Sequence, residues 1–176
     1  TYKGLEMKFE LDVTPEAEIE IIIDKNTGHS IAAKGNGTML LEINTLGKFN
    51  MWGDFHVFEG VYNFKYAGLL DKKLKARQGG TINWDGDPTR ARLNLEAVYA
   101  LKANPSILLE NASFNRNIDV EVAIQLNGNL MQPEHEFQIN FPNASSVVKS
   151  DLDYRLNDAD TLQKQALSLL YQRAFL

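Results

Sequence analysis

The chain has 176 residues, 44% hydrophobic and 23% charged, with a formal net charge of -5 and no cysteine. These values describe a folded globular protein and exclude a disordered chain, a disulfide scaffold and thiolate chemistry. The basic residues gather only in the short run Lys72, Lys73, Lys75 and Arg77, which fits a solvated turn or strand edge better than a nucleic-acid footprint. The longest apolar run, around Ile21 to Ile23, is far too short to span a bilayer. With Thr1 first and no signal-peptide pattern, the sequence reads as part of a larger protein. The missing cysteines suit a reducing cytoplasm or an envelope protein stabilised by strand pairing.

In chain order, Leu5, Met7, Phe9, Leu11 and Val13 alternate with Glu6, Lys8, Glu10 and Asp12, which predicts a strand with one dry face, closed by Pro15. Ile19, Ile21 and Ile23 predict a second strand, and Lys25-Asn26-Thr27-Gly28 a hairpin turn. A short strand over 30–33, a turn at Lys34-Gly35-Asn36-Gly37 and a strand carrying Met39, Leu41 and Ile43 follow. Phe49, Met51, Gly53, Phe55 and Val57 share one face, as do Tyr62, Phe64 and Tyr66 after Glu59-Gly60. Leu74 and Ala76, then Ile82 and Trp84, precede the turn Asp85-Gly86-Asp87-Pro88, and Leu93 to Leu101 alternate again. Residues 103–116 read as a loop. Ile118, Val120, Val122, Ile124 and Leu126 form the cleanest strand, Asn127-Gly128-Asn129 turns the chain, and Phe137, Ile139 and Phe141 end the sheet. The period then changes: Asp160 is the expected cap of a helix bearing Leu162, Ala166, Leu169, Leu170 and Phe175.

About ten antiparallel strands joined by short turns, with no helix between them, predict a mainly β fold and exclude βαβ topology. The expected division is an alternating β region over 1–143, and a linker with an amphipathic helix over 144–176.

Catalytic chemistry is thin. His29, His56 and His135 match no metal spacing, and His135 between Glu134 and Glu136 reads as a surface loop. Asp85-Gly86-Asp87-Pro88 lacks the ligands of a calcium loop. There is no nucleophile elbow or phosphate loop. We expect neither an enzyme nor a cofactor or metal. The aromatic residues from Phe49 to Tyr99 either fill a closed sandwich core or line an open apolar groove, and periodicity alone does not separate these.

Three motifs stand in order. Gly53-Asp54-Phe55-His56-Val57-Phe58-Glu59-Gly60-Val61-Tyr62-Asn63-Phe64 contains a Gly-x-Tyr-x-Phe hairpin pattern. Gly79-Gly80-Thr81-Ile82-Asn83-Trp84 runs into Gly86-Asp87-Pro88 and the strand from Ala91 to Tyr99. Val120 to Gly128, Pro133, and Phe137 to Pro142 form an alternating strand, Gly, Pro, alternating strand and Pro. Over roughly residues 47–142 this resembles the C-terminal domain of the TamB family, relatives of the AsmA-like proteins; Asn143 to Leu156 departs from the family pattern in detail.

The resemblance implies a curled antiparallel sheet forming an open U-shaped trough with an apolar inner face and a C-terminal helix. It further implies phospholipid transport between the inner and outer membranes or help with outer-membrane protein assembly. The expected setting is the periplasm of a Gram-negative bacterium, with an inner-membrane anchor elsewhere in the protein and an Omp85-type (TamA-like) outer-membrane partner. The residues expected to line the trough against phospholipid acyl chains are Phe9, Leu11, Ile21, Leu41, Ile43, Met51, Phe55, Tyr62, Phe64, Ile82, Leu93, Leu95, Val120, Val122, Ile124, Phe137 and Ile139. The alternatives are a closed β-sandwich serving as an adhesin-like envelope module, and a transmembrane β-barrel.

Overall fold

The computed structural model of the chain describes residues 4–24 and 28–176. Nine strands form one antiparallel sheet: β1 (Glu6–Val13), β2 (Glu18–Asp24), β3 (His29–Asn44), β4 (Phe49–Tyr66), β5 (Leu70–Ala76), β6 (Thr81–Gly86), β7 (Arg92–Ala103), β8 (Ile118–Asn129) and β9 (Glu134–Asn140). Two long strands organise it. β3 holds β1 along residues 37–44 and β2 along 29–34, while β4 holds β6 along 51–56 and β5 along 60–66. β5 and β6 both pass pairing on to β7, which continues to β8 and β9. The expected turn at Lys25-Asn26-Thr27-Gly28 lies, apart from Gly28, outside the described residues.

The expected turn at Lys34 to Gly37 is instead the middle of β3. Glycine inside a strand marks close approach as well as turning. A Cβ on Gly35 would run into the His56 carbonyl and the ring of Phe55, so its absence lets that ring lie down on β3. The register shifts in β4 between Val57 and Glu59, leaving Phe58 as a bulge residue. There β4 changes partner, exchanging bonds with Gly79 and Gly80 through Val57 at 2.9 Å each. β8 also outlasts its expected turn: it runs to Asn129, and the chain turns one step later, with the Gln132 amide donating to the Asn129 carbonyl at 3.1 Å.

The C-terminal region is more helical than the sequence suggested. Residues 103–116, read as a loop, include α1 (Ser106–Leu109), and the expected linker contains α2 (Ser146–Arg155), capped by Ser145. The final helix, α3 (Ala159–Gln172), is capped by Asp158 rather than Asp160: the Asp158 carboxylate accepts from the Thr161 amide at 3.2 Å and from its hydroxyl at 2.7 Å. α3 lies on β9, β8 and β5, burying Ala166, Leu169 and Leu170 and bringing Phe175 to within 6.3 Å of the Phe141 ring.

Among the described residues all strands belong to one continuous sheet, so the fold is not a sandwich of two separate sheets. Among the described residues β1 and β9 do not pair, so the sheet is not a closed barrel either. It nevertheless curls. Phe137 on β9 meets Phe64 on β4 edge-to-face at 6.0 Å, although β5, β7 and β8 separate those strands along the sheet.

Candidate functional site

The cross-strand register puts every residue expected to line the trough on one face. Phe9, Leu41 and Met51 lie in one row, and Met7, Ile43 and Phe49 in the next. Ile21 continues through Ile31, Tyr62 and Leu74. Phe55, Ile82, Leu93 and Gly128 form another row, as do Leu95 and Leu126, and Tyr99, Val122 and Ile139. Period-two alternation, kept in phase by the bulge at Phe58, is what delivers this common face. Trp52 pairs with Leu40 and Asp85 and points to the opposite side.

Coverage divides that face in two. Phe55, Tyr62, Phe64, Ile82, Leu93, Leu95, Val120, Val122, Ile124 and Ile139 are buried within the domain, Phe55 and Val122 at 0% exposure. They form a packed core under the curl of the sheet and α3. Phe9 and Leu11 remain 46% and 44% exposed, and Ile21, Leu41, Ile43, Met51 and Phe137 are half-buried. Met7 and Phe49 join this open lip, at 46% and 39%. Neither stood among the expected lining residues, although each has the same parity as a neighbour that did. The open part of the trough is therefore the β1 end, including the adjoining ends of β3 and β4.

The closed part is pinned at its mouth by a polar contact. The Tyr62 hydroxyl lies 2.8 Å from His29 Nδ1 and 3.1 Å from His135 Nε2, so one imidazole accepts from the phenol and the other donates to it. The His29 ring also packs at 5.6 Å from Phe64 and 6.0 Å from His135. His135 is thus no loop residue: it stands on β9, partly exposed, facing the inner side. Burial, then the proximity of His29, pushes the His135 imidazole below its ordinary value, and burial pushes the Tyr62 phenol up. No signal in the sequence marks this contact, because it joins residues 73 apart that share no strand pair.

The opposite face is mixed: charged pairs stand there beside apolar side chains such as Leu40, Trp52 and Val61. Arg77, the residue after β5, bridges Glu96, at 2.7 Å, and Glu121, tying the end of that strand to β7 and β8. A shallow concavity of about 360 Å³ there carries both charge signs, from Glu18, Lys34, Glu59 and Lys75, around Ala32, Val61 and Ala76. Among the described residues no group of three His, Cys, Asp or Glu is placed to hold a metal, and no helix is long and apolar enough to cross a membrane.

A family model described as the TamB C-terminal domain matches residues 1–175. No curated protein matches the chain.

Proposed function

Because the chain belongs to the TamB C-terminal domain family, whose members are envelope transport and assembly modules rather than enzymes, we propose that its open lip shields lipid acyl chains. In this reading the domain is one stretch of a hydrophobic conduit across the periplasm. The conduit moves phospholipids between the inner and outer membranes, with an inner-membrane anchor elsewhere in the protein and an Omp85-type partner in the outer membrane. The supporting observation is the row of half-exposed apolar side chains from Phe9 through Leu41 to Met51, running in from the free edge of β1. Each methylene taken from water onto such a surface gains about 0.8 kcal/mol, so covering a few methylenes holds a chain transiently, and the absence of deep polar anchors on the lip among the described residues suits passage over storage.

A second reading, help with outer-membrane protein assembly, draws on a different feature. The outer edges of β1 and β9 are unpaired among the described residues, leaving backbone groups to template an incoming strand. Lipid extraction and mass spectrometry on protein purified without detergent tests the first reading. Wild type is expected to carry phospholipid, and Phe9→Glu with Leu41→Glu to carry little while remaining folded by circular dichroism. Equal lipid on both proteins would overturn it.

A further inference from the structure

The end of the molecule remote from the open lip carries a second exposed apolar feature, on which the trough reading does not draw. The β4–β5 hairpin turns through Ala67, Gly68 and Leu69, and Leu69 is 75% exposed. Beside it stand Tyr66, Leu70, and Leu167 and Tyr171 of α3, lining a cleft of about 430 Å³ whose one charged lining residue is Lys164. Tyr171 is 63% exposed. These apolar side chains are contiguous rather than scattered singly.

Charge surrounds this tip in a definite order. Just below the last pair of the hairpin, Tyr66 with Leu70, come Lys65 with Asp71, then Lys72 and Lys73. Residues 161–176 contain Lys164 and Arg173 and no acidic residue. Asp71 is the one acid of the paired segment 60–76, 4.0 Å from Lys65. Lys72 sits 5.6 Å over the Tyr99 ring, and Arg173 donates to the Tyr99 hydroxyl at 3.1 Å. A chain of net charge -5 thus presents a cationic collar at one end, beneath tyrosines and an aliphatic point. Aliphatic groups outermost, tyrosines next and cations behind is the layering of a segment seated at a lipid headgroup boundary.

We propose that the β4–β5 tip and the end of α3 dock onto an anionic phospholipid surface. Leu69 and the cleft face the acyl boundary, Tyr66 and Tyr171 the headgroups, and Lys65, Lys73 and Lys164 the lipid phosphates.

The chain has no cysteine, so a single introduced thiol reports on one site. Leu69→Cys and, as the distant control, the exposed Met131→Cys in the β8–β9 turn, which belongs to neither the lip nor the tip, are labelled with an environment-sensitive NBD dye. Each is titrated with phosphatidylcholine vesicles with and without phosphatidylglycerol. The expected result is a blue-shifted, several-fold brighter emission at position 69 that requires phosphatidylglycerol, with no response at position 131. Lys73→Gln with Lys164→Gln should weaken that response by about thirtyfold, taking roughly one kcal/mol for each basic residue at an anionic surface. Silence at position 69, an equal response at 131, or equal binding to pure phosphatidylcholine overturns the proposal. So does a concentration-dependent change at 69 without vesicles, which would assign the tip to a second copy of the chain.

Discussion

The middle of the sheet and its β1 lip carry the same alternation of apolar and polar residues and differ in what lies above them. Over Val122 and Ile124 the sheet curls until β9 meets β4, α3 closes the end, and the apolar face becomes a core. Over Phe9 and Leu11 nothing folds back, because β1 is an edge strand paired only with β3 among the described residues. Alternation therefore fixes which way a side chain points, while topology fixes whether it is covered. Only the uncovered part is available to a ligand.

That difference can be broken most severely by charge. Val122→Glu places a carboxylate at a site with 0% exposure, and is expected to cost more than about 4 kcal/mol. Phe9→Glu is expected to cost under about 1 kcal/mol, and urea denaturation of the two variants compares them directly. Truncation should follow the same division: Phe55→Ala removes a fully buried ring for about 3–5 kcal/mol, and Phe49→Ala on the lip costs roughly a third of that or less. Gly53→Ala tests the backbone that joins the regions. Gly53 has φ +133°, and a Cβ there would stand 2.5 Å from the Thr38 carbonyl oxygen. A loss of about 1–3 kcal/mol is expected in the same assay.

The latch should give the smallest effects. Tyr62→Phe removes the hydroxyl shared by His29 and His135 and should cost about 1 kcal/mol. The pH dependence has a definite sign. The His135 imidazole is held below its ordinary value in the folded protein, so the unfolded chain binds a proton more readily. The neutral form's stabilisation is complete above the ordinary histidine value, near 6.5, and is lost as pH falls through and below it. Thermal melts from pH 7.5 to pH 5 should show a smaller decline for His135→Gln than for wild type; equal declines would remove His135 from the latch.

The sequence carried much of this face. Parity along Ile118 to Leu126, along Leu93 to Leu101 and along Phe49 to Val57 assigned inner residues correctly, because each strand is regular and its neighbours are in phase. Parity could not assign Phe58, since a bulge is one extra residue whose presence depends on β4 changing partner from β6 to β5. Gly35 and Gly37 misled for a related reason, as the same residue serves turns and close strand contacts. α2 was hidden because its buried face is little more than Leu152, too narrow for a strong periodic signal. The separation of lip from core was not legible at all. Phe9 and Phe55 sit in equivalent patterns, and what distinguishes their surroundings is long-range: the edge position of β1, the contact of β9 with β4, and α3.

The central claim is that lipid meets the lip on the inner face alone. Met51 and Trp52 are adjacent on β4 and point to opposite sides. A benzophenone amino acid placed at Phe9, Met51 or Trp52 in the full-length protein, irradiated in the intact envelope and read by mass spectrometry, tests that claim directly. Phospholipid adducts at positions 9 and 51 and none at 52 are the predicted result. No adduct at 9 and 51, or an equal yield at 52, would contradict it.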